Sequence, residues 1–155
     1  MSSRAPISAE DFLGGLKGQR VVVTAGAAGI GFSIADTLAA LGARLVICDI
    51  SEEALAAASG KLKVEAAIKA DVSIEEDVDR LFDVAKTTLG GLDALINNAG
   101  LLGRHRELTK QGFEIAFCVN YLGAFLLTML LLPLLEKSEQ GRVVMMTSIA
   151  HGWGD

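Results

Sequence analysis

Cysteine, proline and aromatic residues are scarce in this chain, and basic residues never gather. The two cysteines, Cys48 and Cys118, sit in apolar runs. They suit neither a disulfide framework nor a metal site, and they fit a reducing, cytoplasmic compartment. Only two prolines occur in 155 residues, hydrophobic content is 51% and mean hydropathy is +0.43. Those values describe a folded globular chain rather than a disordered one. Net charge is −5 with no Lys/Arg block, which argues against a nucleic-acid partner. The opening stretch MSSRAPISAEDFLGG has no apolar segment of the secretory kind. One long apolar run does exist: nothing between Phe117 and Leu135 is charged. Asn120, Tyr121, Gly123 and Pro133 interrupt it, so it reads as a helix buried against a sheet, with no membrane span.

The rest of the chain alternates between two periods. Short β-branched runs at 20–24, 44–49, 64–69, 93–97 and 142–147 read as strands. Between them, helical patterns cover 31–41, 51–58, 73–89 and Thr109–Lys137. Gly42 and Gly90-Gly91 supply stops. Ser51 is a cap with Glu52 and Glu53 in the favourable first turn, and Ser73 is a cap with Glu76 in the reciprocal position. Strands joined by helices of ten or more residues imply right-handed crossovers and a parallel sheet. Continuous apolar strands such as 21-VVV-23 and 143-VVMM-146 imply that both sheet faces are covered. The expected architecture is a doubly wound α/β, Rossmann-like domain of five strands over 19–155, after a leader at 1–18.

Three glycines and three alanines crowd 24-TAGAAGIG-31, where the first strand must turn into the first helix. Packing alone is one reading of such a turn. The other is an anion site, in which small residues let the backbone approach a pyrophosphate at the positive end of the helix. Asp49 favours the second reading. It ends the second strand 18 residues beyond Gly31 and is followed by uncharged Ile50. A carboxylate there accepts the ribose hydroxyls of an adenosine and repels a 2′-phosphate, which predicts NAD rather than NADP.

With these features placed, the chain resembles the short-chain dehydrogenase/reductase family from Arg20 onward. Thr24, Gly26, Gly29, Ile30 and Gly31 lie in the family's glycine turn, with Ala25 where its first glycine stands. Gly26 is expected to absorb the turn that Ala25 makes difficult. Asp71-Val72 resembles the pair set beside the adenine. In 97-NNAG-100, Asn97 would brace the sheet, and Asn98, Ala99 and Gly100 would lie along the nicotinamide ribose. Asn120 matches the family's asparagine that supports a proton-relay water, and Ser148 matches the serine that hydrogen-bonds the substrate carbonyl. Residues to about 89 resemble bacterial-style members, whereas 112–135 and 147–151 are similar to retinol-dehydrogenase-type members.

The resemblance implies hydride transfer between NAD and a carbonyl or alcohol, with an apolar small molecule as substrate and a homo-oligomer built through Thr109–Lys137. It also implies a tyrosine and, four residues later, a lysine beyond the serine. Only seven residues follow Ser148, and none is Tyr or Lys. A truncated enzyme, an assembled or chimeric half, and a non-catalytic binding or interaction module all fit that pattern. On this reading the chain lacks the family's catalytic helix and last strands and is inactive alone. His105 and His151 have no spacing that ties them to a substrate, and surface or loop roles are expected for both.

Overall fold

The computed structural model describes residues 14–102 and 105–148. Most of the leader and His151 lie outside the described residues. Strands β1 (Arg20–Thr24), β2 (Arg44–Asp49), β3 (Ala66–Lys69), β4 (Ala94–Asn97) and β5 (Arg142–Met145) form one parallel sheet. Its order is β3-β2-β1-β4-β5, so the chain winds outward from β1 in both directions. This is the expected Rossmann-like topology, and it opens a crevice where β1 and β4 separate their following loops.

Helices α1 (Gly29–Ala40) and α2 (Glu52–Ser59) cover one sheet face; α3 (Glu75–Leu89) and α4 (Ile115–Leu135) cover the other. Alternate strand residues serve the two layers. Val21, Val23, Leu45 and Ile47 pack with Ala35, Leu55 and Ala58. Val22, Val46 and Leu95 pack with Leu81, Leu127 and Leu131. Full burial of each such side chain stabilises the fold by about 1.5–3 kcal/mol relative to exposure. Gly42 and Gly90, at φ of 84° and 69°, close α1 and α3 as expected of glycine stops. Ser51 caps α2, its hydroxyl accepting from the Ala54 N–H at 3.1 Å.

Several boundaries differ from expectation, each for a local reason. The long helix does not begin at Thr109. The Thr109 N–H bonds the Phe113 carbonyl, Gly112 takes a φ of 86°, and Leu108 pairs with Glu114. That turn delays the helix until Glu114, whose carboxylate caps the Ala116 and Phe117 amides at 3.0 and 2.7 Å. These two bonds hold the Glu114 carboxyl below its ordinary range. Helix α4 ends at Leu135 rather than Lys137, and β3, β4 and β5 are each shorter than their apolar runs. Ser73 does not cap α3, because its amide and hydroxyl both turn back to Asp71 Oδ1 at 2.9 and 2.7 Å. Ile74 takes the cap position without a side-chain bond.

Strand β5 also departs from the both-faces-covered expectation. Val143, Val144, Met145 and Met146 are 39–48% exposed, and among the described residues β5 pairs with β4 alone and ends the sheet. Helix α4 is long and apolar enough to cross a membrane by length and composition, with a mean hydropathy of 2.2 over 21 residues. It is buried on one side only: Leu127, Leu131 and Leu135 enter the core. Phe117, Tyr121, Phe125 and Met129 form a half-exposed stripe on it, with the three rings stacked.

At the opposite end of the strands a polar clip joins β1 to β4. Arg20 donates to both Asp93 oxygens at 2.9 and 2.7 Å, and the Arg20 amide and Ser138 hydroxyl complete the carboxylate's partners. The Asp93 side chain is 12% exposed, and the Arg20 guanidinium holds its carboxyl far below the ordinary 3.8. A depressed folded-state value stabilises the fold above the ordinary carboxylate range and loses that contribution as pH falls toward the folded value. Asp93→Ala is expected to cost about 2–4 kcal/mol at pH 7 in urea denaturation. Its deficit should shrink as pH falls below about 4; a deficit constant from pH 7 to pH 2 contradicts the assigned ion pair.

Candidate functional site

The crevice is shaped by β1's last residue. Thr24 is 1% exposed, and its hydroxyl accepts from the Asn98 and Ala99 amides, both at 2.9 Å, while donating to the Ile96 carbonyl at 3.4 Å. Asn98 returns the contact through Nδ2, which donates to the carbonyls of Thr24 and Ala25 at 3.0 and 3.2 Å. The loops after β1 and β4 are thereby locked edge to edge. The side chains of Thr24 and Asn98 are engaged in this brace, leaving Ala99 and Gly100 on the crevice wall. Asn97 sits one residue back. Its Nδ2 donates to Thr128 Oγ1 at 3.0 Å and contacts Met145 Sδ, so it joins β4 to α4 and β5.

Gly26 does not absorb the turn. Ala25 itself takes the left-handed conformation, at φ of 48°, and among the described residues it is the one non-glycine to do so. Gly26 is held instead by packing, since a Cβ there would meet Ile47 Cβ at 3.0 Å. Gly29 supplies the second left-handed residue at φ of 54°. Gly31 is needed for close approach, because a Cβ would run into the Ala25 carbonyl and lie 2.5 Å from Asn98 Nδ2. Helix α1 then begins with no side-chain cap and no acidic residue in its first turn. The amides of Gly29, Ile30 and Gly31 precede the i→i−4 ladder, and Ile30 is 66% exposed beside them.

Asp49 stands at the tip of β2, facing that turn. Its Oδ2 accepts from the Ala27 amide at 3.3 Å and its Oδ1 from the Ser51 amide at 3.1 Å. Two backbone bonds fix the carboxylate at the crevice mouth while leaving further lone pairs on both oxygens. Ile50 projects alongside, 67% exposed. Behind them lies a cavity of about 190 Å³, lined by Asp49, Ile50, Asp71, Val72, Ala99 and Gly100 among others. None of its described lining residues is basic. Cys48 forms part of the wall, and burial pushes its thiol up to about 12, so it is neutral at physiological pH.

The loop between β3 and α3 presents a matched pair of polar groups. Asp71 Oδ1 is occupied by Ser73, whereas Oδ2 accepts no hydrogen bond from the described residues. The Val72 amide likewise makes none, although Val72 is only 8% exposed. Asp71 and Val72 both line the cavity, so an unengaged acceptor and an unengaged donor belong to adjacent lining residues.

Sequence reasoning missed Cys48, Ala70 and Leu101 as lining residues, and also Ile115 and Val119, which α4 contributes at i and i+4. Their helical spacing was the available signal. It also missed the π-helical segment Cys118–Gly123 within α4, a feature frequent at functional sites. Asn120 lies in that segment and grips Leu101 from both sides, Oδ1 accepting from its amide at 2.8 Å and Nδ2 donating to its carbonyl at 2.9 Å. The structure therefore gathers Asp49, Ile50, Asp71, Val72, Ala99 and Gly100 about one cavity, with Asn120 bracing its rim. Ser148 lies exposed beyond β5, outside the lining, and His105 is exposed in the loop before α4.

A family model described as short chain dehydrogenase matches residues 19–154. An uncharacterized oxidoreductase of Mycobacterium bovis is 33% identical over 140 residues, covering 87% of this chain and 57% of that protein. L-fucose dehydrogenase of Oryctolagus cuniculus is 36% identical over 140 residues, covering 88% of this chain and 49% of its own length. Among solved structures, a 7 alpha-hydroxysteroid dehydrogenase complexed with NADH and 7-oxo glycochenodeoxycholic acid superposes with a TM-score of 0.76. That enzyme is 30% identical, and the match covers 88% of this chain and 56% of that one. The chain spans about half the length of the curated relatives it matches.

The backbone of the β1 turn yields opposite expectations for two small substitutions. Ala25→Gly relieves a left-handed alanine and should raise stability by about 1 kcal/mol. Gly31→Ala adds a methyl group against backbone and should lower it by about 1–3 kcal/mol. Urea midpoints of both variants measure this, and a destabilised Ala25→Gly contradicts the strained turn.

Proposed function

The chain belongs to the short-chain dehydrogenase family, and on that premise we propose that it forms the NAD(H)-binding portion of an oxidoreductase. Asp49 carries this reading: a carboxylate fixed by two backbone amides at the lip of a cavity without basic residues. Such a group accepts the hydroxyls of an adenosine ribose and repels a 2′-phosphate, which favours NAD over NADP.

The residues present fit the cofactor. The cavity of about 190 Å³ is smaller than the roughly 300–1,000 Å³ of pockets that enclose drug-sized ligands. It suits the adenosine end, with Ile50 and Val72 as its apolar contacts. Asp71 Oδ2 and the Val72 amide offer the acceptor and donor that complement adenine's amino group and ring nitrogen. The amides of Gly29, Ile30 and Gly31, at a helix start without acidic residues, suit the pyrophosphate. Thr24 and Asn98 act beneath this surface by holding the two loops together, Gly26 packs the turn onto Ile47, and Ala99 and Gly100 leave a flat path for the nicotinamide ribose.

When bound, the nicotinamide ring exchanges a hydride with the carbon of a carbonyl or secondary alcohol. Ser148 is the proposed hydrogen-bond partner of the substrate oxygen, and Asn120 the proposed anchor of a relay water. The substrate class is a small carbonyl or alcohol compound. The two buried, unbridged thiols suit a reducing, cytoplasmic setting. The half-exposed stripe of Phe117, Tyr121, Phe125 and Met129 supports a homo-oligomer assembled through α4.

Titration of the chain with NADH, followed by nicotinamide fluorescence, should give saturable binding. Asp49→Ala should weaken NADH by about 1–3 kcal/mol and narrow the preference over NADPH. A flat emission signal at millimolar NADH overturns the dinucleotide reading, and an unchanged affinity in Asp49→Ala reduces Asp49 to a surface residue.

A further inference from the structure

Helix α3 reaches back to the loop that bears Asp71 and Val72. Asp77, in the first turn of α3, directs Oδ2 to the Asp71 amide at 2.8 Å. Its other oxygen is paired with Arg80 one turn later, at 2.8 Å. Arg80 in turn donates to the Lys69 carbonyl at 2.6 Å, on the last residue of β3. Backbone groups on both sides of Ala70 are therefore tied to one ion pair on one helix. The Ala70 amide is itself bonded to the Asp49 carbonyl at 3.0 Å, which links this loop to the ribose side of the cavity.

The wiring decides which way Asp71 and Val72 face. With its amide held by Asp77, Asp71 folds Oδ1 onto Ser73, and Asp71 and Val72 line the cavity with Oδ2 and the Val72 amide unengaged by the described residues. Behind Val72, its carbonyl lies against Gly123, where a Cβ would collide with it. The loop is therefore seated between Gly123 of α4, against which the Val72 carbonyl packs, and Asp77 of α3, which holds the Asp71 amide. The Asp77–Arg80 pair is half-exposed on its arginine side, and a surface pair of this kind contributes little stability of its own. Its effect is positional.

We propose that Asp77, clamped by Arg80, is a positioning residue that sets the purine selectivity of the crevice. The proposal rests on the reading of Asp71 and Val72 as the adenine edge. Adenine offers an amino donor and a ring-nitrogen acceptor, which match Asp71 Oδ2 and the Val72 amide. Hypoxanthine offers a carbonyl acceptor and a ring N–H donor, so it meets each with the wrong partner. A site built on such hydrogen bonds rejects the mismatched analogue strongly only while its groups are held in place.

The experiment compares NADH with the reduced dinucleotide that carries hypoxanthine in place of adenine, by fluorescence titration of the 155-residue chain. The native chain is expected to prefer NADH by about tenfold or more. Asp77→Ala should cut that ratio by about fivefold or more, with binding of the hypoxanthine form little changed. Asp77→Asn retains a carbonyl acceptor for the Asp71 amide and should recover most of the ratio. Arg80→Met should lower it by a smaller factor, and it gives an independent reading if circular dichroism shows Asp77→Ala unfolded. A ratio unchanged in Asp77→Ala, or affinity lost equally for both dinucleotides, overturns the positioning role. A native chain that binds NADH but shows no preference removes the adenine-edge reading and the latch with it. A native chain that binds neither removes the dinucleotide site itself.

Discussion

The site depends on one hydroxyl. Thr24 Oγ1 accepts two amides from the β4 loop and donates to a β4 carbonyl, and Asn98 answers with two bonds to the β1 turn. These loops leave the sheet at the switch between β1 and β4, where no strand pairing continues to hold them. Without the brace, the glycine turn and the wall made by Ala99 and Gly100 have no fixed separation. With it, the buried Thr24 hydroxyl and the Asn98 amide nitrogen are both bonded, so the brace itself leaves neither of them as a costly orphan.

Around that brace the molecule divides its polar work by height. At the foot of the strands, Arg20 and Asp93 clip β1 to β4 by a partly buried ion pair. At the head, carboxylates are kept partly wet and tied by backbone amides, as at Asp49 and Asp71. A group neutralised by a close guanidinium is poor at recognising a ligand. One held by amides keeps its charge and spare lone pairs. The same logic places the π-helical segment of α4 over the crevice, since its irregular backbone lets Asn120 reach the Leu101 peptide.

Much of this was legible in the residue order. Strand cores and helices followed the two periodicities because nearly every buried position is aliphatic, and Asp49 stood out as a carboxylate ending an apolar strand. The glycine turn was recognisable, but its strain was misplaced. Gly26 looked free to take the left-handed conformation, yet packing against Ile47 holds it and Ala25 takes that role. Ser73 looked like a helix cap because local spacing cannot reveal that Asp71 competes for both of its donors. The start of α4 was read too early because the Gly112 turn interrupts an otherwise helical pattern. An apolar run does not disclose whether anything packs on a strand's two faces, so β5 reads as covered although its side chains are exposed. Asp77 went unnoticed since its partner, the Asp71 amide, carries no sequence signature.

The crevice as a dinucleotide site is tested most directly by backbone NMR. Amide shifts of the chain are followed as NADH is added, with no assumption about which residues respond. Saturable perturbations should concentrate at Gly29–Gly31, Ile50, Val72 and Ala99–Gly100, while β5 and the Arg20–Asp93 end of the sheet stay still. Perturbations confined to the exposed stripe of α4, or none at saturating NADH, contradict the assignment.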